Sequence, residues 1–178
     1  MSELKESKIN SKIVYQGSFL DVRKDEVRLP NGKTSTREWI KHPGAVCIIP
    51  ILPTGEIALI RQYRYPVQQE VIELPAGKLD PNEVPEVCAH RELEEEIGYT
   101  ANSLKFITHI HPAIGFADEI MSLYLAEDLI KSKLNLDIDE FLVLIPTKLT
   151  DAIEMIWSGA ITDVKTIIGL LWAKRILL

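Results

Sequence analysis

Hydrophobic and polar residues are patterned differently in two parts of the chain. Residues 12–41 show short alternating segments around a turn, PNG, at residues 30–32, and this pattern is typical of a small antiparallel sheet. The triplet HPG at residues 42–44 then interrupts regular structure. We therefore predict an N-terminal antiparallel sheet in residues 1–43 and a larger domain in residues 44–178.

The larger domain mixes strand-like and helix-like patterns. Helical patterns near the C-terminus each open on a Thr-Asp pair suited to capping, at residues 150–159 and 162–177. A third helix is predicted from about residue 85, after Pro75 and Gly77 break regular structure. Strand-like runs lie at residues 45–52, 56–65, 103–111, 120–129 and within 136–149. The fold class predicted from these patterns is mixed α/β.

The helix predicted from about residue 85 ends in a very acidic segment, RELEEEIG, at residues 91–98. At 100° per residue, Glu92, Glu95 and Glu96 share one face beside an apolar stripe, while Glu94 points elsewhere. Like charges at this spacing repel by about a few tenths of a kcal/mol per pair. The segment is either a solvated surface face or a cluster that binds a hard divalent ion such as Mg2+.

Composition narrows the classes of function. A net charge of −6 argues against a protein that binds long nucleic acid, because such binding needs basic patches. The polar N-terminus lacks the apolar stretch of a secretion signal, and the apolar run at residues 166–178 is too short for a membrane span. Cys47 and Cys88 are expected to be buried and reduced. We therefore expect a cytoplasmic protein without a membrane partner.

Seven residues of the segment that contains the acidic helix follow the pattern G-x5-E-x7-R-E-U-x-E-E-x-G-U, where U is a bulky apolar residue. At residue frequencies of roughly one in fifteen, a chance match at a given start is on the order of 10^-8. The segment resembles the Nudix box, with Tyr99 where the family usually has an aliphatic residue. The matching residues are Gly77, Glu83, Arg91, Glu92, Glu95, Glu96 and Gly98.

The resemblance implies a Nudix hydrolase, which cleaves nucleoside diphosphates linked to another moiety and uses Mg2+ or Mn2+. Its fold would be an α/β/α sandwich around a mixed sheet. Glu92 and Glu96 would be the principal metal ligands, Glu95 a catalytic ligand or water-mediated neighbour, and the Ala76 carbonyl a backbone ligand. The other box residues would have structural roles: Gly77, Glu83, Arg91 and Gly98. Of these, Glu83 and Arg91 would form an ion pair that holds the loop to the helix.

Hydrolysis also needs a group that accepts the proton of the attacking water. In relatives that act on ADP-ribose, this base is a glutamate on a loop well after the box. The segment LDIDEF offers Asp137, Asp139 and Glu140, and we favour Glu140 as the catalytic base. An acidic surface turn is the alternative interpretation of this segment.

The residues before the box resemble the ADP-ribose and nucleoside diphosphate sugar pyrophosphatase branch. They read IRQYRYPVQQEVIELPAGKLD. In that branch the N-terminal sheet is exchanged across a homodimer and helps to form the nucleotide site. Arg64, rather than Arg61, would then hold the pyrophosphate, and Glu73 would contact the ribose side. Arg37 and Phe19 would come from the N-terminal sheet; Phe19 would stack on a base, although an inward-packed core position fits it equally well.

The loop after the box departs from this branch. ADP-ribose enzymes commonly carry Pro-Gly-Phe there, whereas this chain reads PAIGFADE and has Ile114 in place of the proline. Ile114 and Glu119 are the predicted substrate-binding residues of the loop, and the departure favours nucleoside diphosphate sugars as a class. The alternatives are a Nudix hydrolase of oxidised nucleoside triphosphates, dinucleoside polyphosphates or coenzyme A, and a non-catalytic nucleotide sensor.

Overall fold

The N-terminal part is a three-stranded antiparallel sheet in the computed structural model, which describes residues 3–136 and 141–178. Its strands are β1 (Ser7–Gln16), β2 (Asp21–Arg28) and β3 (Thr34–Lys41). The middle strand is β2, which pairs with both neighbours. The chain turns from β2 to β3 through Gly32, whose φ of 83° lies in the region that favours glycine. The predicted N-terminal sheet is therefore confirmed.

In the rest of the described chain, four strands precede the first α-helix, three more follow it, and two α-helices end the chain. The elements are β4 (Ala45–Pro50), β5 (Ile57–Arg64), β6 (Gln69–Glu73), β7 (Ala76–Lys78), α1 (Pro85–Glu92), β8 (Tyr99–Ile110), β9 (Met121–Lys131), β10 (Leu142–Thr147), α2 (Leu149–Trp157) and α3 (Val164–Leu177). One sheet has the order β7-β4-β9-β8 and is mixed, because β4 and β9 run parallel while the other pairs are antiparallel. The other has the order β10-β5-β6 and is antiparallel.

Strand β4 shows how the layers form, because its alternate side chains enter two different apolar clusters. Cys47 and Ile49 lie in a cluster with residues of α2 and α3. Val46 and Ile48 lie in a cluster with residues of α1. A strand buried on both faces reads as a continuous apolar run, as residues 45–50 do. The predicted α/β/α sandwich is confirmed, and both cysteines are buried as expected.

Three local features differ from the sequence predictions. The acidic helix is not uniform: α1 ends at Glu92, and residues Leu93–Ile97 form a π-helical turn before Gly98. Gly77 lies within β7, where it pairs with β4, rather than in a break. The Thr-Asp pair at residues 150–151 does not cap α2, which begins one residue earlier at Leu149; the pair before α3 does cap its helix.

The last residues of β3 form one contact between the N-terminal sheet and the rest of the chain. Ile40 N–H donates to the Phe116 carbonyl at 2.8 Å, and Asp118 N–H donates to the Ile40 carbonyl at 3.2 Å. These bonds attach the sheet to the loop between β8 and β9. The division into domains at residues 1–43 and 44–178 stays a prediction.

None of the helices in the described part of the chain has both the length and the apolar character needed to cross a membrane.

Candidate active site

A cleft of about 1020 Å³ opens between the box segment, the ends of β5 and β9, and the first turn of α3. Such a volume is at the upper end of the usual range for small-molecule sites. Most of the residues predicted for the site lie along it. The predicted residues that line the cleft are Phe19, Arg64, Ala76, Gly77, Arg91, Glu92, Glu95, Glu96 and Glu119.

Arg91 is the centre of the box segment. Its Nε and Nη2 atoms donate to the two oxygens of Glu83, each at 2.9 Å, which is the ion pair expected from the sequence. Its Nη1 atom donates to Glu92 and to Glu95, each at 2.8 Å. The hydrogen bonds from Arg91 lower the pKa of Glu83 to about 2. One guanidinium therefore gathers three carboxylates and fixes the preceding loop, in which Glu83 lies, to the helix.

Two observations show how closely the cluster lies against β7. Glu96 Oε2 accepts a hydrogen bond from Ala76 N–H at 3.1 Å, and Glu96 is buried. A Cβ atom on Gly77 would lie 1.7 Å from Glu92 Oε1, so only glycine leaves room for that carboxylate. Glu94 points away from the cleft, since it accepts a hydrogen bond from the Ser132 hydroxyl. As expected, Glu92, Glu95 and Glu96 lie together at the cleft, whereas Glu94 does not.

The oxygen atoms of this wall are of the type that a hard divalent cation prefers. Carboxylate and backbone carbonyl oxygens are the ligands that Mg2+ prefers, and Mg2+ usually keeps several waters and uses only one or two carboxylates. The space beside Gly77 is filled by the Glu92 carboxylate, which therefore lies at the cleft surface. No three acidic, histidine or cysteine side chains of the described residues are grouped so that they could hold an ion together. Glu92 and Glu95 accept hydrogen bonds from Arg91 instead, and Glu96 accepts one from the Ala76 N–H.

A second charged cluster borders the cleft, and its Arg64, Asp163 and Lys165 line what we call the second wall. Arg64 Nε and Nη2 donate to the two oxygens of Glu73 at 2.7 and 2.8 Å, a forked geometry. Lys165 Nζ donates to Glu73 Oε2 and, at 3.0 Å, to Asp163 Oδ2. Burial alone would raise the pKa of Glu73, but the Arg64 hydrogen bonds and the Lys165 charge outweigh it and lower that pKa. Contact between Glu73 and a ribose stays a prediction.

The remaining predicted substrate residues lie in different places. Phe19 reaches the cleft from the N-terminal sheet, with the Lys78 ammonium 4.0 Å from its ring centre. Glu119 lines the cleft, and its Oε1 atom is 3.9 Å from His42 Nε2. Arg37 lies outside the cleft lining and pairs with Glu6. Ile114 is 81% exposed and is not part of the lining. Their roles stay predictions.

The predicted catalytic base lies outside the described residues, which omit 137–140. Glu140 and its alternatives Asp137 and Asp139 all belong to that segment.

Sequence reasoning missed the contribution of α3 to the cleft. Asp163, Val164 and Lys165 line it, although they lie about 65 residues after the box. One signal was available: Lys165 is in the first turn of a predicted helix, where the helix dipole disfavours a cation. A lysine there indicates a specific partner.

Models of two known protein families match this chain. A model of the NUDIX domain matches residues 41–148, which is more than half of the 178 residues. The chain belongs to the Nudix family. A model of the nucleoside diphosphate sugar hydrolase N-terminal domain matches residues 6–40 of this Nudix protein. The predicted family is confirmed, and hydrolysis by its members generally needs a divalent metal ion.

Individual relatives cover nearly the whole Nudix chain. It is 43% identical to an ADP-ribose pyrophosphatase of Bacillus subtilis (strain 168), over 93% of this chain and 91% of the relative. It is 42% identical to a methanol dehydrogenase activator of Bacillus methanolicus, over 95% of this chain and 93% of the relative. The crystal structure of an ADP compounds hydrolase superposes with a TM-score of 0.87 and shows the same fold. The superposition covers 98% of this chain and 95% of that chain, at 24% sequence identity.

Proposed function

We propose that this protein hydrolyses the pyrophosphate bond of nucleoside diphosphate sugars such as ADP-ribose, giving a nucleoside monophosphate and a sugar phosphate. The observation that carries this proposal is the cleft itself, with carboxylates on one wall and a forked arginine on the other. A relative named ADP-ribose pyrophosphatase at 43% identity supports the substrate class. A GDP-mannose pyrophosphatase of Yersinia enterocolitica at 34% identity supports a range of sugars.

Each wall has a separate task in this proposal. Arg64 binds the pyrophosphate, because a guanidinium edge matches phosphate oxygens. Glu92, Glu96 and the Ala76 carbonyl would hold Mg2+ or Mn2+. When bound, that cation neutralises phosphate charge and lowers the pKa of the attacking water. Glu140 would accept the proton of that water, and Glu95 would be a catalytic ligand or water-mediated neighbour of the ion.

Phe19 and Glu119 would bind the organic ends of the substrate. Phe19 offers an aromatic ring to a base at the cleft. Glu119 is charged and could distinguish sugar hydroxyls, whereas the exposed, apolar Ile114 cannot donate or accept a hydrogen bond through its side chain. We therefore expect the site to accept several sugars.

A panel of nucleotides tests the function directly. Phosphomonoester release should occur with ADP-ribose in Mg2+ and stop after chelation. Catalytic efficiencies for ADP-ribose and at least one hexose-linked nucleoside diphosphate should differ by less than about a hundredfold, the scale of apolar discrimination. Selective cleavage of a nucleoside triphosphate, a dinucleoside polyphosphate or coenzyme A would contradict the substrate class. Binding without cleavage would indicate a sensor, although all box glutamates are present.

A homodimer is the assembly that we propose. Strand β1 is exposed along its whole length, and Ile13, Val14 and Tyr15 are each about half exposed. A small sheet with an uncovered apolar edge strand is seldom stable alone. Analytical ultracentrifugation should give a dimer at micromolar concentration; a fully active monomer would contradict the proposal. We expect the protein to act in the cytoplasm.

A further inference from the structure

Lys165 occupies an unfavourable position that needs an explanation. It is only 8% exposed and lies in the first turn of α3, where the helix dipole disfavours a positive charge. A buried ammonium is retained only when it is paired. Here it bonds to Glu73 and Asp163, so its burial is linked to the wall of the cleft that carries Arg64.

Glu73 transmits the effect of Lys165 to Arg64. Glu73 is 2% exposed, and both of its oxygens accept hydrogen bonds from the Arg64 fork. The Arg64 side chain is 43% exposed and lines the cleft. Its third nitrogen, Nη1, makes no hydrogen bond within the described residues. Arg64 is thus held by one edge and presents the other to the cleft.

The start of α3 is firmly attached to the strand that carries Glu73. Leu74 N–H donates to the Thr166 hydroxyl oxygen at 2.8 Å, and Thr166 is fully buried. The Thr166 hydroxyl donates to Asp163 Oδ2 at 2.6 Å, and the same oxygen accepts from Lys165. Lys165 therefore has little freedom to move relative to Glu73.

We propose that Lys165 is a positioning residue, which acts through Glu73 to present Arg64 to the phosphate groups of the substrate. The inference rests on the proposed function and extends it to α3. Without Lys165, Arg64 would be the main counter-charge of a buried carboxylate. Its guanidinium would then attract a substrate anion less strongly, and the carboxylate would be freer to rotate away from the fork.

Steady-state kinetics with ADP-ribose and Mg2+ test this role in three variants. Lys165→Met should raise KM at least about tenfold and change kcat less than about threefold, because Arg64 binds but does not react. Lys165→Arg should recover most of the loss, since it restores the charge. Lys174→Met, the same change at an exposed site on the same helix, should leave both constants unchanged. An unchanged KM in a folded Lys165→Met protein would overturn the proposal and leave Lys165 a purely structural role.

Two further measurements keep the test decisive. If Lys165→Met does not fold, Lys165→Gln takes its place, because its amide can still donate to Glu73 without a charge; the same rise in KM is expected. If the wild type cleaves no nucleoside diphosphate sugar, the proposed function fails, and calorimetry with inorganic pyrophosphate tests Lys165 separately. Weaker pyrophosphate binding by the lysine variant supports the positioning role, and equal binding by variant and wild type overturns it.

Discussion

The two charged walls of the cleft use opposite electrostatic arrangements. On the box wall, four carboxylates gather near one guanidinium: Glu83, Glu92 and Glu95 contact Arg91, and Glu96 binds a backbone N–H. On the second wall, two carboxylates are matched by two cations, in the cluster of Arg64, Glu73, Asp163 and Lys165. The first wall has a net negative charge, whereas the charges of the second wall cancel one another.

This difference indicates what each wall can bind. Packed carboxylates with an excess of negative charge attract a cation and repel a phosphate. A neutral cluster that leaves one edge of an arginine exposed can bind an anion without repelling it. The pyrophosphate of a nucleotide sugar would lie between the walls and needs both: a metal ion towards the acidic wall and Arg64 on the other.

The largest effect is expected from the acidic wall. Glu96→Gln should keep the fold and lower kcat by more than about a hundredfold, since even groups that only orient metal ligands typically contribute about 10- to 100-fold. Activity assays at saturating Mg2+ measure this. Glu94→Gln is the matched control on the same turn, because Glu94 bonds to Ser132 outside the cleft; it should cost less than about threefold. Near-parental rates in Glu96→Gln would remove the metal role from this wall.

The two walls also differ in how far they could be predicted from sequence. All residues of the acidic wall lie between Ala76 and Gly98, so a fixed spacing along one loop and helix reveals them. The other wall joins Arg64 and Glu73 to Lys165, about a hundred residues later, and only the packing of α3 on the sheet brings them together. Sequence patterns record local periodicity but not such distant contacts. The π-helical turn after Glu92 has no pattern of its own either.

The arginine of the neutral wall should affect substrate binding. Arg64→Met should raise KM for ADP-ribose about ten- to a hundredfold, because hydrogen bonds to charged groups contribute about 1.5 to 3 kcal/mol. Arg61→Met is the matched control on the same strand, since Arg61 pairs with exposed Glu70 and does not line the cleft. Equal changes of KM in the two variants would show that Arg64 has no special contact with the substrate. Steady-state kinetics on both variants supply the comparison.

The close approach of β7 to the acidic wall predicts a smaller effect. Gly77→Ala places a Cβ atom where the Glu92 carboxylate lies, so that carboxylate must move. Displacing one predicted metal ligand should lower kcat by roughly tenfold and raise the Mg2+ concentration needed for half-maximal rate. Gly115→Ala is the control, because a Cβ atom on Gly115 would meet no other atom within 4 Å. An unaltered Mg2+ requirement in Gly77→Ala would show that metal binding does not depend on the position of the Glu92 carboxylate.

The smallest effect concerns the contribution of Glu83 to the stability of the fold. Its pKa falls from an ordinary 4.5 to about 2 because Arg91 hydrogen-bonds the charged form. A lowered folded-state pKa stabilises the protein above about pH 4.5, and this contribution is lost as pH falls towards 2. Glu83→Gln should therefore cost about 1 kcal/mol of unfolding free energy at pH 7, a modest value because partial exposure screens the pair.

The pH dependence of this loss separates the charge of Glu83 from its packing. Between pH 4.5 and the acid limit of folding, the wild-type free energy of unfolding should fall more steeply than that of Glu83→Gln, so the two curves converge. Denaturant titrations at several pH values measure both curves, and Glu154→Gln, at an exposed position of α2, should run parallel to the wild type. A constant difference in unfolding free energy between Glu83→Gln and wild type across this range would show that Arg91 does not stabilise the charged form of Glu83. The bonds from Arg91 to Glu92 and Glu95 would then be the ones that organise the acidic wall.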